Sequence, residues 1–443
     1  MTATKNNSKL IAIITMCFIF AMISFVTNMG APFGNIWGEH FPFAKAWGNL
    51  MNFAAYLFMG IPAGKMLIKY GYKKTALIAL AVGTIGLLVQ YLSSLVGSGT
   101  EVFFWEGYET QKWVDGEKVK LVQDIHVTLN LFIYLLGAFI CGFCVCMLNT
   151  VVNPMLNLLG GGGNKGNQLI QVGGTLNSLT GTLTPLLAGL LVGEVTKDTN
   201  MSAVAPLLFI GMAVFIISFI IISRVTIPEP TLGKVQPKYE RSPLAFRHCL
   251  LGVIAIFFYV GIEIGIPMEL NFYITDFTKG SAALGGSFAA AYWLMMMIGR
   301  AGSSAISGKV STKMQLTVVS SVAIVFLLIA IMMPESATMT FSGKEIPTKC
   351  LFIAACGLCT SVMWGGIFNL SVEGLGKYTE AASGIFMTLV VGGGIMPLIQ
   401  EAMANTPSIG IINSYWLVIA MLAYILFYAV IGCKNVNKDI KVD

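Results

Sequence analysis

Charge is what this chain has least of. Asp, Glu, Lys and Arg make up 11% of its 443 residues, where a soluble protein carries about 25%. That scarcity excludes an ordinary soluble domain and a disordered chain alike. Histidine is nearly missing. His40, His126 and His248 stand at the edges of apolar runs and form no cluster, which removes a histidine-built metal centre. No G-x-x-x-x-G-K-[ST] loop occurs, so nothing in the chain would cradle the phosphates of ATP. The alternating pattern of a membrane barrel is absent too. The first apolar run lacks a small-residue cleavage site and reads as a span, not as a signal peptide. Nine cysteines lie in or beside apolar segments. They read as small buried apolar residues, although Cys141, Cys144 and Cys146, or Cys356 and Cys359, leave a metal or redox pair open.

What the chain does have is apolar length. Hydrophobic residues make up 56%, and the mean hydropathy is +0.78. A helix needs about 20 apolar residues to cross a bilayer. Twelve segments qualify, at about 10–30, 47–69, 75–96, 127–158, 168–193, 203–227, 247–274, 284–308, 313–333, 348–374, 380–402 and 411–433. Backbone polar groups in lipid must be satisfied internally, so an all-α membrane protein is expected. Placing the N-terminus inside puts 19 of the 27 basic residues, Arg300 among them, on the cytoplasmic side. Both termini are then cytoplasmic, and the net charge of +6 is this bias and not a nucleic-acid patch. The protein is accordingly expected to span a membrane many times, in contact with lipid.

The Pro- and charge-rich stretch 228–246 divides the chain into blocks 1–227 and 247–443, each with six spans. Each block has its longest outer loop between its third and fourth spans, at 97–126 and 334–347. Matching positions predict two pseudo-symmetric six-helix bundles, a common transporter plan. Two β-prone runs flank Asp115-Gly116, which predicts a hairpin in the first loop. A shorter hairpin is expected around 339–346.

Polar residues are conspicuous between Leu148 and Pro185. Asn149, Asn153, Asn157, Gln168, Gln171, Asn177 and Ser178 sit in or beside two consecutive spans. An amide in hydrocarbon costs a few kcal/mol unless it finds a partner. Interhelical hydrogen bonding explains one or two of them. Seven point to a solute pathway. Sugar sites pair such amides with aromatic faces. The candidate substrate contacts are Asn28, Asn52, Asn149, Asn153, Asn177 and Asn369, with Tyr259, Tyr292, Trp293 and Trp364.

Gly64-Lys65-Met66-Leu67-Ile68-Lys69-Tyr70-Gly71-Tyr72-Lys73-Lys74 resembles the loop signature of the major facilitator superfamily, G-x-x-x-D-R-x-G-R-R. Gly64, Lys69, Gly71, Lys73 and Lys74 keep its gating pattern, and Ile68 replaces its Asp. Ile61-Pro62-Ala63-Gly64, Asn149-Thr150-Val151-Val152-Asn153-Pro154, Phe258-Tyr259-Val260-Gly261, Ile298-Gly299-Arg300 and Gly392-Gly393-Gly394-Ile395-Met396-Pro397 together resemble the fucose/galactose/glucose:proton symporters. The resemblance implies twelve helices, alternating access, a monosaccharide substrate and a cotransported proton, with no cofactor and no enzymatic reaction, in a chain expected as a monomer in a bacterial inner membrane. It also implies two functional carboxylates, at the positions of Asn28 and Asn149. Asn can hydrogen-bond hydroxyls in both senses but cannot titrate. The coupling ion is therefore left open between H+ and Na+, with uniport a third option. Glu263 is the candidate acid, since no basic residue lies within one helical turn of it in sequence. Asn28, Asn149 and Thr150 are the candidate oxygen ligands for sodium. Glu269 and Asp276 are expected to be solvated. A drug or lipid exporter on the same fold, and a non-transporting nutrient sensor, are the alternatives of other classes.

Overall fold

The computed structural model describes residues 2–114, 117–160, 163–193, 195–196, 198–199, 201–227, 229, 241–279, 281–306, 310–437 and 442. Its helices are α1 (Thr2–Asn28), α2 (Gly30–His40), α3 (Trp47–Leu92), α4 (Leu129–Gly160), α5 (Gly163–Val192), α6 (Ala205–Arg224) and α7 (Arg247–Phe277). They continue with α8 (Ala282–Ile306), α9 (Thr312–Met332), α10 (Lys349–Thr360), α11 (Met363–Val372), α12 (Thr379–Thr388), α13 (Gly392–Asn405) and α14 (Gly410–Phe427). Eleven stretches among the described residues are long and apolar enough to cross a membrane. The first arm of α3, residues 47–70, is the twelfth pass, because the chain must return before its second arm begins. Large apolar side chains such as Ile216, Ile217, Ile220 and Ile221 on α6 are exposed, as a lipid-facing surface requires.

One end of the molecule carries two hairpins, and the other carries the start of α1 and the described residues that follow α14. Strands β1 (Glu101–Val114) and β2 (Glu117–Thr128) pair antiparallel from Glu101↔Thr128 to Val114↔Glu117. The Asp115-Gly116 turn lies outside the described residues. Strands β3 (Thr338–Phe341) and β4 (Lys344–Pro347) form the shorter hairpin. Its turn residues Ser342 and Gly343 both have positive φ, 51° and 77°, the requirement of a type I′ turn.

The signature stretch 64–74 is not an extended loop. Helix α3 runs through it and breaks at Gly71, whose φ of 81° is the left-handed region where glycine alone is comfortable. The second arm starts there with unpaired N–H groups. Glu229, just after α6, accepts from the backbone N–H of Tyr72 (2.6 Å) and of Lys73 (2.9 Å). Lys73 Nζ donates to the Ser223 carbonyl (2.8 Å). A carboxylate from another helix thus satisfies this N-terminus, although Ile68 occupies the place where the signature has its acid.

Among the described residues, three passes are discontinuous. The first breaks at Met29 between α1 and α2, the tenth at Ser361–Val362 between α10 and α11, and the eleventh in a 3-10 turn at Leu389–Val391. Prolines explain part of this. Proline has no N–H, so the carbonyl four residues earlier loses its helical donor. Pro32 does this to Asn28, Pro154 to Thr150, Pro267 to Glu263 and Pro397 to Gly393. The last of these finds another partner, since Asn49 on α3 donates to the Gly393 carbonyl at 2.7 Å.

Candidate functional site

The three helix breaks meet at one place. Asn28, Ser361 and Val390 all line a central cavity of ≈ 750 Å³, open space included, between the two bundles. Side chains from α1, α3, α4 and α5 form one wall, among them Ser24, Tyr56, Asn149, Gln171 and Asn177. Glu263, Trp293, Arg300 and Trp364 from α7, α8 and α11 form the other. Irregular backbone at membrane depth is tolerated where it lines such a space.

The amides are anchored by their nitrogens. Asn28 Nδ2 donates to the Ser24 carbonyl (2.9 Å) and hydroxyl (3.1 Å). Asn149 Nδ2 donates to the Tyr56 hydroxyl at 2.8 Å, and Asn177 Nδ2 donates to the Phe20 carbonyl at 2.8 Å. That orientation leaves the Asn28 and Asn149 carbonyl oxygens free to accept from a hydroxyl-rich solute. Trp293 sets its ring edge-on to Tyr292 at 5.8 Å. Its buried indole N–H has no partner among the described residues. Trp364 packs against Phe386 and, at 6.2 Å, against Tyr259.

Arg300 is not the cytoplasmic loop cation that charge counting makes it. Its guanidinium is buried in the wall and fans out to five groups. Nε donates to the Ser361 carbonyl at 3.4 Å. Nη1 donates to the Gly174 carbonyl (2.6 Å) and to the Ser178 hydroxyl (2.8 Å) on α5, and reaches Asn177 Oδ1 at 3.5 Å. Nη2 meets Glu263 Oε1 at 3.3 Å. Glu263 is thus paired across two helices, although no base is near it in sequence. A charge scarcely exposed in a span is held this way because each unpaired alternative costs several kcal/mol.

The other predicted contacts do not line the cavity. Tyr292 bonds Thr360 Oγ1 (2.8 Å), and Tyr259 is fully buried. Thr150 bonds the Cys146 carbonyl and Asn153 bonds the Asn149 carbonyl, both within α4. Asn52 lies buried one turn before Tyr56, and Asn369 sits on α11 beyond Trp364. The side chains of Asn157 and Gln168 lie outside the description. In the signature stretch, Gly64 faces open space, Lys69 lies over the Tyr70 ring at 5.1 Å, and Lys74 is exposed.

Toward the hairpin end, the bundles are bolted together. Asn35 Nδ2 donates to Asn271 Oδ1 at 2.6 Å, Lys45 pairs with Asp276 at 3.3 Å, and Asn49 holds the Gly393 carbonyl. A smaller cavity of ≈ 380 Å³ lies between this bolt and the central one, sharing Thr27, Asn28, Ile264 and Trp293 with it. Glu269 departs from expectation. It is 1% exposed rather than solvated.

The sequence model of the Major Facilitator Superfamily matches residues 10–397. A glucose/galactose transporter of Brucella abortus is 28% identical over 395 residues, covering 86% of this chain and 84% of that protein. The L-fucose-proton symporter of Escherichia coli is 20% identical over 445 residues, covering 92% and 90%. Among solved structures, a fucose:proton symporter of E. coli superposes with a TM-score of 0.68 at 16% identity, over 95% of this chain and 98% of that one. The xylose transporter of E. coli gives 0.70 at 9% identity, over 95% and 97%.

Proposed function

The chain belongs to the Major Facilitator Superfamily, and from that premise we propose that it imports a monosaccharide, of the glucose, galactose or fucose kind, by alternating access. The observation that carries this reading is the composition of the cavity wall. Anchored amides with free carbonyl oxygens stand on one side, and Trp293 and Trp364 stand on the other. A sugar offers hydroxyl donors to the first and a C–H face to the second. Its hydroxyl oxygens also offer an acceptor to the unpaired Trp293 N–H. An apolar drug or lipid would leave these groups unsatisfied at a cost of about 1–3 kcal/mol each. The names of the relatives support the same substrate class.

In this reading Asn28, Asn149 and Asn177 contact sugar, while Asn52, Asn153, Tyr259, Tyr292 and Asn369 shape the wall from behind. The two moving bodies are residues 1–227 and 247–443, joined by 228–246. The end opposite the hairpins faces the cytoplasm of a bacterial inner membrane, and one chain is the functional unit. Import against a gradient needs a cation. Glu263 is the carboxylate in the wall, and the Asn28 and Asn149 carbonyl oxygens are the donors that face the cavity for sodium, while Thr150, bonded to the Cys146 carbonyl, stands behind them.

Hexose uptake into proteoliposomes, with a proton gradient alone and then a sodium gradient alone, tests the reading. Saturable uptake driven by either ion supports it. Uptake that saturates for no monosaccharide removes it.

A further inference from the structure

Glu263 already has a fixed partner in Arg300, so it is a poor carrier for a mobile proton. The hairpin-end bolt holds two other buried acids. Glu269 on α7 is 1% exposed and Glu401 on α13 is 4% exposed. They stand within electrostatic reach of each other, and Lys45 acts on both. Glu269 Oε1 has no hydrogen-bond partner among the described residues. Neither has Gln400 Oε1, the neighbour of Glu401 in sequence. Glu401 Oε1 accepts from Asn405 Nδ2 at 3.2 Å, which leaves Glu269 Oε1 as the unsatisfied acceptor of the pair. A proton or a cation is what it lacks.

The charge that now compensates this site comes from the other bundle. Lys45 sits on the turn between α2 and α3. Its stem lies across Gly38, and its ammonium lies 5.1 Å from the Phe272 ring and 3.3 Å from Asp276. Burial disfavours its charge, but Asp276, Glu401 and Glu39 outweigh burial and hold its pKa above the ordinary lysine value. The other titratable groups facing the pair are Tyr415 of α14, near Glu269, and Tyr108 of β1, near Glu401.

We propose that Glu269 and Glu401 are the proton-binding pair of this transporter, with Lys45 as the counter-cation that the hairpin-end gate inserts and withdraws. This rests on the reading of the chain as a coupled sugar transporter. When the gate opens, Lys45 leaves with its bundle, still protonated and now hydrated. Two buried carboxylates without their ammonium take one proton between them from the hairpin-side water, forming one O–H bond. When the gate closes, the returning ammonium displaces that proton. It leaves to water in the smaller cavity, which begins at Met268 and Asn271 beside Glu269 and continues into the central one. One proton crosses with each sugar.

The test uses the full chain in proteoliposomes, with two readouts. Concentrative hexose uptake needs the proton site, and hexose counterflow does not. A gradient of one pH unit supports about tenfold accumulation at one proton per sugar. Wild type should reach that level. The double variant Glu269→Gln, Glu401→Gln should fall to no accumulation while still exchanging labelled for unlabelled hexose. Glu269→Asp and Glu401→Asp keep a titratable group and should retain accumulation. Accumulation that survives in the double Gln variant overturns the proposal, and so do Asp variants that behave like the Gln ones. Wild-type counterflow with accumulation driven by sodium alone also overturns it, while leaving the sugar reading intact. Absence of counterflow in wild type would instead mark failure of the sugar reading itself.

Discussion

Arg300 ties α8 to α5, α7 and the break between α10 and α11 through one guanidinium. Removing it strands Glu263 in the wall without a counter-charge. Breaking one partner of a buried pair costs about 3–5 kcal/mol, so Arg300→Ala should lower the melting temperature in detergent sharply. Glu263→Gln keeps a hydrogen-bond acceptor for the guanidinium and should cost less. The opposite ranking would show that the pair does not hold the wall together. Asn149 gives a milder test. Tyr56→Phe removes the hydroxyl that receives its Nδ2 and frees the amide to rotate. The loss of about 1 kcal/mol should raise the KM for sugar several-fold with little change in maximal rate. At this scale the amides are legible in sequence, because an amide inside an apolar run must find either a polar partner or a solute. Arg300 is not. It lies six residues before the end of α8, and proximity to a span end is the only clue that charge counting uses. Glu269 escapes sequence reading for the same reason.

The elements owe their breaks to prolines and glycines that are visible in sequence, but the partners of the freed groups are not. Asn49 and Gly393 are 344 residues apart and bond at 2.7 Å. Nothing short of tertiary structure links them. Pro397→Ala should return a helical N–H to the Gly393 carbonyl, compete with Asn49, and loosen the hairpin-end gate. Greater labelling of a cysteine placed in the central cavity, by a thiol reagent added from the hairpin side, would show that loosening. Unchanged labelling would assign Asn49 no gating role. Glu229 gives the same lesson at the other end. Its carboxylate satisfies two N–H groups at the start of α3's second arm, and Glu229→Ala should cost about 1–2 kcal/mol of stability. The signature loop predicts an acid at position 68. The chain supplies one from beyond α6 instead.

For the whole molecule, twelve passes are countable from apolar length, because lipid demands about 20 apolar residues per helix. How the bundles meet is not. The polar contacts that close the hairpin end join residues of one block to residues of the other, each a singleton with no local pattern. Replacing Asn35 and Asn271 with cysteines, and bridging them with a short bifunctional thiol reagent, should lock that end and stop transport until the bridge is reduced. Asn35 and Asn271 are themselves buried, so the reagent reaches the engineered pair only when the hairpin end opens. The chain without that pair controls for its nine buried cysteines. Transport that continues with the bridge in place would mean that the hairpin end does not open during the cycle.

The central claim is that the cavity between the bundles carries a monosaccharide, and uptake of radiolabelled hexose into proteoliposomes of the purified chain tests it most directly. The account predicts saturable uptake of glucose, galactose or fucose, competed by the unlabelled sugar and greatly reduced when Asn28 and Asn149 are both replaced by Leu. Flux that saturates for none of these sugars, or that ignores both substitutions, would contradict it.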